Sequence, residues 1–363
     1  MRGTMRRGKI VIVIVTVVAV AVLVLLGSFL YTAVPGGTSF AAKQLCSLVF
    51  VSGLDPERAM ETYVEAVISP LGSSLHYEVD RERRTVHASS FFGLVEAEAA
   101  YRRGCGCTAL HQSTAEELRA AFVPKAPGPP DLAWEIDAEH RRRFFEEAGL
   151  DRAMDEAFAE PEGGGRNTLA VLALHDGRLV AERYAPGIDA TTPLVGWSMT
   201  KSVMATLVGI LVRQGHLDVD APAGFPEWSS DDDPRRPITL DLLLRMTAGL
   251  DITEDQSGAD PNTVMLYLQP DGAGYSASRS LYTEPNTDFK YMSGCTALAS
   301  RRVREAVGGT LAKTYAFVHG ELFDPLGMAT AVLEPDESGI FMGSSFMLAS
   351  ARDWARFGQL YLQ

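Results

Sequence analysis

The sequence has few residues of several kinds, and each shortage argues against a class of protein. It contains four cysteines and seven histidines in 363 residues, with no Cys-x-x-Cys pair and no histidine cluster at ligand spacing. Metal sites are recognised from such spacings, so we expect no metal and no other cofactor. The chain also has no Gly-x-Ser-x-Gly motif, which argues against an α/β-hydrolase fold.

Positive charge is also scarce. Lysine and arginine together number 33 against 46 aspartates and glutamates, which gives a formal net charge of −13. Nucleic-acid binding calls for a basic surface, so we expect no nucleic-acid partner. Hydrophobic residues make up 46% of the chain, enough for a sizeable core. One large catalytic domain after an N-terminal extension is the simplest organisation for this length.

The first cations of the chain stand before a long apolar run. Residues 10–33 carry no charge and are long enough to span a membrane, which requires about 20 apolar residues. The preceding segment, residues 1–9, is basic and is predicted to be cytoplasmic; its cations are Arg2, Arg6, Arg7 and Lys9. The sequence therefore predicts a single-pass anchor in the cell membrane, with the rest of the chain outside the cytoplasm. A cleaved signal peptide is the alternative, since Ser39-Phe40-Ala41 is compatible with a cleavage site.

Residues 34–136 are predicted to be a lead-in segment that ends in a Pro-rich linker. It begins with a short flexible link at Gly36–Ser39, and the linker proper is Pro124–Pro130. Between them, alternating residues predict two strands joined by a charged turn, at Leu75–Val79 and Thr85–Ser89. This segment carries no catalytic motif.

The cysteines allow several arrangements. A disulfide is permitted outside the cytoplasm. Cys46 could pair with Cys107 or with Cys105, which would staple the lead-in segment to itself. Alternatively, all four cysteines, including Cys295, are free and act as small hydrophobic residues.

The catalytic domain is predicted at residues 137–363. An amphipathic pattern predicts a helix over Arg141–Phe158. Thr168–Leu174 and Arg178–Tyr184 read as strands joined at Asp176-Gly177, which is a strong hairpin signal. His175 stands at this turn and is interpreted as surface structure. Residues 251–284 are predicted to be a helical insert over the cleft.

A serine and a lysine three residues apart stand where a loop gives way to an apolar helix pattern. Residues at positions i and i+3 of a helix share a face, so Lys201 should lie one turn from Ser198. A serine hydroxyl is a poor nucleophile until a neighbouring base takes its proton. A lysine can be that base if desolvation or a second cation lowers its pKa. Of the six lysines in the chain, only Lys201 has a serine three residues before it.

Two motifs carry a family resemblance. Ser198-Met199-Thr200-Lys201 resembles the first motif of the penicillin-recognising serine hydrolases: class C β-lactamases, D-alanyl-D-alanine carboxypeptidases, esterases and 6-aminohexanoate-dimer hydrolases. The stretch from Pro285 to Gly294 resembles their second motif in the form Pro-Gly-Thr-x-Phe-x-Tyr-Ser-Ser-Gly. The resemblance covers residues 160–363 and is closest to the 6-aminohexanoate-dimer hydrolases. It implies an α+β fold with an antiparallel sheet flanked by helices and a helical subdomain.

The resemblance also implies roles for individual residues. Ser198 would be the nucleophile, Lys201 its base and Tyr291 the group that passes protons to the leaving group. Ser293 stands where class C enzymes carry asparagine, and it would bind substrate together with Gly343 and Ser344. A hydroxyl offers one donor where an amide offers two, which favours esterase or amidase work over β-lactam turnover.

A third motif of these hydrolases, a Lys/His-x-Gly strand, is not found after Tyr291 at the required spacing. We therefore expect the sequence to be truncated at its C-terminus. The main expectation is a membrane-anchored serine hydrolase that cleaves amide or ester bonds of a small-molecule substrate through an acyl-enzyme. One alternative is a non-catalytic remnant that binds envelope peptides or acts as an interaction module. A second alternative is a D-alanyl-D-alanine carboxypeptidase or β-lactamase.

Overall fold

The computed structural model describes residues 2–68, 71–122, 134–255 and 257–362. The predicted linker at Pro124–Pro130 lies outside these residues. The chain forms an α+β structure, as the resemblance implied, but the antiparallel strands of the described residues form three sheets where one was expected. No helix in the described part of the chain is both long and apolar enough to cross a membrane. Most side chains of residues 10–33 are outside the described set, so the anchor stays a prediction.

The first helix, α1, runs through the predicted flexible link. It extends from Arg2 to Phe50 with Pro35 inside it. Residues 38–49 are all buried. This end of the helix is therefore a core element, and its packing outweighs the low helix propensity of Gly36 and Gly37. The prediction of a flexible link at Gly36–Ser39 was therefore wrong.

A four-stranded meander packs against the buried end of α1. It follows two short helices, α2 (Pro56–Ala59) and α3 (Glu65–Ile68), and its strands are β1 (His76–Asp80), β2 (Thr85–Ser90), β3 (Val95–Arg102) and β4 (Gly106–Leu110). The strands are antiparallel in the order β1-β2-β3-β4, and the last three contact α1. The first two strands confirm the predicted hairpin to within one residue at each end.

The disulfide is Cys46–Cys107, which joins α1 to β4 with a Cα–Cα distance of 5.9 Å. The structure thus confirms the first of the two pairings that the sequence allowed. Cys105 and Cys295 are free and buried. Burial raises the pKa of the Cys105 thiol to about 11, so this thiol is a poor nucleophile at neutral pH.

The remaining elements belong to the predicted catalytic domain and the residues just before it. The helices are α4 (Ala115–Ala121), α5 (Ala138–Phe144), α6 (Glu147–Phe158), α7 (Thr200–Arg213), α8 (Leu240–Leu244), α9 (Pro261–Tyr267), α10 (Gly272–Ser278), α11 (Ser293–Ala306), α12 (Leu311–Val318), α13 (Asp324–Leu326) and α14 (Ala351–Leu360). The strands are β5 (Ala170–His175), β6 (Arg178–Tyr184), β7 (Leu194–Val195), β8 (Val332–Leu333) and β9 (Met347–Ala349). Strands β5 and β6 form the predicted hairpin, and β9 lies between β7 and β8.

The helices of this part agree with the prediction in some places and differ from it in others. The single helix predicted over Arg141–Phe158 is two helices, because Phe145 adopts an extended conformation between α5 and α6. The predicted insert at residues 251–284 contains α9 and α10, as expected. Helix α7 buries Val203, Leu207 and Leu211 on one face, which fixes the helix that follows Ser198.

The lead-in segment and the catalytic domain share buried contacts. The Glu334 carboxylate, fully buried, accepts hydrogen bonds from the Lys43 ammonium, from Ser47 Oγ at 2.8 Å and from the Cys107 backbone N–H at 2.7 Å. A Cβ at Gly106 would lie 2.3 Å from Glu334 Oε1, so only glycine fits there. The boundary at residues 136/137 stays a prediction, and these contacts cross it.

Candidate active site

Ser198 lies in a single 3₁₀ turn, Trp197–Met199, directly before α7. Trp197 has a φ of 44°, in the left-handed region that a bulky residue rarely adopts. Residues in such conformations persist only where the surroundings hold them, and they concentrate at functional sites. The turn therefore presents Ser198 at the start of α7, where the orphan backbone N–H groups of a helix favour negative charge.

Two aromatic rings pack against this turn and the glycine before it. Trp354 of α14 lies against Gly196, where an added Cβ would come within 2.1 Å of Trp354 Cζ2. The ring of Phe40 in α1 stacks on Trp197, with centroids 6.3 Å apart and planes 4° from parallel. The lead-in helix therefore borders the residue next to Ser198. Sequence reasoning missed this contact, because nothing in the local pattern around Phe40 indicates its partner.

Lys201 is the centre of the polar contacts at the site. Its Nζ lies 3.0 Å from Ser198 Oγ, 3.1 Å from Ser293 Oγ and 2.9 Å from the carbonyl oxygen of Ser344. Lys201 is half-buried. An ammonium group has three donors, and these three acceptors use all of them. The structure thus brings together four residues that the sequence predicted for the site.

Tyr291 joins the site through its ring. The Lys201 Nζ lies 4.9 Å from the centroid of the Tyr291 ring, within the range of a cation–π contact. The side chain is 44% exposed, and its hydroxyl makes no hydrogen bond to any residue that the structure describes. The structure therefore places Tyr291 beside the lysine, while its role in proton transfer stays a prediction.

Ser293, Gly343 and Ser344 are buried rather than open to a cleft. Ser293 is 1% exposed and begins α11. A Cβ at Gly343 would lie 2.4 Å from Met204 Cε, so this glycine is packed against α7. Ser293 and Ser344 contact Lys201, and their present contacts orient the lysine. Substrate binding by these three residues stays a prediction.

A further residue at the site was not foreseen from the sequence. Glu254 Oε2 accepts hydrogen bonds from both the backbone N–H and the hydroxyl of Ser293, each at 3.0 Å. Glu254 comes from the loop between α8 and α9, within the predicted insert. No local motif marks it, because its partner is 39 residues away in sequence.

A second polar cluster joins α5 to the β5–β6 hairpin. His140, His175 and Asp176 have candidate ligand atoms within 4.8 Å of one another. His140 Nε2 and His175 Nδ1 are 2.8 Å apart, which is the distance of a direct hydrogen bond between the two rings. Phe144 and Phe145 pack against His175, with ring centroids at 5.1 Å and 5.2 Å. His175, which the sequence predicted to be surface structure at a turn, therefore has a specific partner, His140 of α5.

The contacts define what the site can do chemically. A hydroxyl at the start of a helix lies within hydrogen-bond reach of an amine, and that amine is held by two further acceptors. When the amine is neutral it has two donors and one lone pair. Its donors then match Ser293 Oγ and the Ser344 carbonyl, and its lone pair is left for Ser198. A nucleophile with its base requires contacts of this kind, and the two catalytic roles stay predictions.

Parts of this chain are similar to a known family and to known proteins. The family named Beta-lactamase matches residues 150–363. A lovastatin esterase from Penicillium rubens is 30% identical over 145 residues, which cover 35% of this chain and 34% of the esterase.

Among solved structures, a candidate 6-aminohexanoate-dimer hydrolase from Bacillus anthracis has a TM-score of 0.48 and 22% identity, covering 59% of this chain and 56% of that one. A D-stereospecific amidohydrolase from Streptomyces has a TM-score of 0.47 and 20% identity, covering 60% and 74%. The chain thus spans 34% of the esterase and 56% of the first of these structures.

Proposed function

The chain belongs to the beta-lactamase family of serine hydrolases, and we propose that it cleaves amide or ester bonds through an acyl-enzyme on Ser198. The observation that carries the proposal is the 3.0 Å contact between Lys201 Nζ and Ser198 Oγ. A lysine in that position can take the proton of the serine hydroxyl. The contacts of Lys201 Nζ with Ser293 Oγ and with the Ser344 carbonyl support this role, because they hold the amine beside Ser198.

In the proposed acylation step, the oxygen of Ser198 bonds to the carbonyl carbon of the substrate while its proton moves to neutral Lys201. The tetrahedral intermediate then expels an amine or an alcohol, which receives that proton. Tyr291 is proposed to carry the proton from Lys201 to the leaving group, because its ring lies against the lysine. Water attacks the resulting ester of Ser198 and releases the acid.

The developing negative charge on the carbonyl oxygen also needs donors. The backbone N–H of Ser198 is proposed as one of them, because it precedes the first turn of α7. Loss of one such donor typically lowers the rate by about 10²–10³-fold. Lys201, Ser198 and this N–H lie within one turn of chain, so the nucleophile and the donor are positioned together.

The substrate class follows from Ser293. Its hydroxyl hydrogen is directed to Glu254, so it offers no donor to a substrate in this arrangement. A side-chain amide at this position would offer two donors. We therefore propose simple amides or esters as substrates rather than β-lactams, and the esterase among the similar proteins agrees with this choice.

A fluorophosphonate probe tests the proposal directly. We expect it to label the chain at Ser198 only, and to leave the Ser198→Ala variant unlabelled. The same pair of proteins is assayed for p-nitrophenyl ester hydrolysis, with Ser202→Ala as a control on the same helix. Labelling that survives the Ser198→Ala change would contradict the assignment of the nucleophile.

We also propose that residues 10–33 anchor the chain in the cell membrane, with the catalytic domain outside the cytoplasm. The support is the uncharged apolar run behind the basic residues 1–9. The Cys46–Cys107 disulfide agrees with an oxidising compartment. Protease added to spheroplasts should degrade the catalytic domain. Protection of the domain would contradict the topology, and a mature chain that begins near Ala42 would contradict the anchor.

A further inference from the structure

Glu254 caps the N-terminus of a helix from another part of the chain. Helix α11 begins at Ser293, and its N-cap residue, Met292, makes no side-chain hydrogen bond to the helix. The Glu254 carboxylate takes that place by accepting the Ser293 backbone N–H at 3.0 Å. Negative charge at a helix N-terminus is stabilising, so a carboxylate is well suited to this position. The loop is held nearby by Lys290 Nζ, which donates to Thr253 Oγ1 at 3.1 Å.

The same carboxylate oxygen determines what the Ser293 hydroxyl can do. A hydroxyl has one hydrogen to donate and two lone pairs that accept. Ser293 Oγ donates its hydrogen to Glu254 Oε2 at 3.0 Å. Its lone pairs remain for the Lys201 Nζ at 3.1 Å. An ionised carboxylate can only accept, so it fixes the direction of both hydrogen bonds.

This direction matters most when Lys201 is neutral. The amine then has one lone pair, and the proposed reaction requires that lone pair to face Ser198. A Ser293 hydroxyl that is free to rotate could donate to the same lone pair and turn it away from Ser198. While Glu254 holds the hydroxyl hydrogen, Ser293 and the Ser344 carbonyl can only accept from Lys201.

We infer that Glu254 is a positioning residue of the active site, which keeps the Lys201 lone pair on Ser198 by holding the Ser293 hydroxyl as an acceptor. The inference rests on the proposed function, because it assigns Glu254 a part in the same proton transfer. No proton passes to Glu254 in this role. The residue acts through Ser293, which touches both it and the lysine.

The test combines Glu254 and Ser293 variants of the full chain with the rate of Ser198 labelling by a fluorophosphonate. Glu254→Ala should slow labelling by about 10²-fold, the size of effect that a small misplacement of a reacting group can have. Glu254→Gln should recover most of this loss, because the amide oxygen still accepts from Ser293. Asp255→Ala, an exposed acidic neighbour in the same loop, is the matched control and should label at the wild-type rate.

The double variant separates positioning from general damage to the fold. In a Ser293→Ala background there is no hydroxyl to hold, so adding Glu254→Ala should cause no further slowing. Full additivity of the two changes would overturn the inference, as would an unchanged rate in Glu254→Ala. Glu254→Gln that is as slow as Glu254→Ala would also overturn it.

Amide hydrogen exchange provides a readout that does not depend on activity. The Ser293 N–H should exchange slowly in the wild type and in Glu254→Gln, and faster in Glu254→Ala. An unprotected Ser293 amide in the wild type would overturn the inference even if Ser198 is labelled. A protected amide in a wild-type chain that is not labelled would instead contradict the proposed function, and with it the role of Glu254.

Discussion

Lys201 is the residue on which the proposed chemistry depends most. Its three acceptors come from three parts of the chain: the turn before α7, the start of α11 and the segment before β9. The amine cannot move toward one acceptor without lengthening its bond to another. Such convergence holds the side chain in one conformation, which reduces the entropy lost when the reaction begins.

Replacement of Lys201 should remove the base and spare the fold. We expect Lys201→Ala to lower Ser198 labelling by about 10²–10⁴-fold, the usual contribution of a general base. Alanine is a good helix former, so circular dichroism should be unchanged. Lys201→Arg should be no better, because arginine stays protonated. Lys313→Ala, on α12, serves as the surface control, and near-normal turnover in either Lys201 variant would point to another base.

At the scale of elements, the sequence predicted what local patterns determine. Strands β1 and β2 alternate and flank a charged turn, and the β5–β6 hairpin has Asp176-Gly177, which adopt φ values of 48° and 75°. The spacing of Ser198 and Lys201 predicted the centre of the site, because residues one helical turn apart lie close together. These features depend on neighbours within a few residues.

Features that depend on distant partners could not be predicted in this way. Strand β3 is rich in alanine, a helix former, and becomes a strand because Ala99 and Ala100 are buried in a sheet that packs on α1. Helix α1 continues through Gly36-Gly37 for the same reason. Its packing partners are distant in the sequence, so the local pattern does not show that this segment is buried. Glu254 and Phe40 reach the site through contacts that no motif records.

The segment between β8 and β9 has a pH-sensitive carboxyl group. Asp336 accepts hydrogen bonds from the Gly272 N–H at 3.0 Å, the first residue of α10, and from Ser338 Oγ at 2.7 Å. Burial nevertheless raises the pKa of Asp336 from its ordinary 3.8 to about 6. The folded state therefore binds a proton more tightly than the unfolded chain does. The resulting stability is present below about pH 4 and is lost as the pH rises through about 6.

Asp336→Asn should remove this dependence. Two units of pKa correspond to at most about 3 kcal/mol in the free energy of unfolding. The difference in unfolding free energy between the wild type and the variant should therefore change by up to that amount between pH 4 and pH 7, to the disadvantage of the wild type. Urea unfolding at unit pH intervals measures it, and the comparison cancels the other carboxyl groups. Parallel stability curves for the two proteins would contradict the pKa assignment.

At the scale of the whole molecule, buried polar contacts join the lead-in segment to the catalytic domain. Burial lowers the pKa of the Lys43 ammonium although the Glu334 carboxylate opposes this shift. The ammonium also lies 3.6 Å from the centroid of the Phe346 ring. The disulfide fixes Cys46 of α1 beside Cys107, whose N–H donates to the same carboxylate. Phe40 of the same helix stacks on Trp197, next to Ser198.

These contacts predict that the two parts unfold together. Lys43→Met would leave the Glu334 carboxylate buried without its cation, and breaking a buried pair in this way costs about 3–5 kcal/mol. We expect urea to abolish the far-ultraviolet dichroism and Ser198 labelling at the same midpoint, shifted to lower urea in the variant. Adding Glu334→Gln should restore part of the loss, because the neutral amide still accepts from Ser47. If Lys43→Met instead unfolds in two steps, with labelling retained through the first, then the lead-in segment is a separate unit and the buried pair does not couple it to the active site.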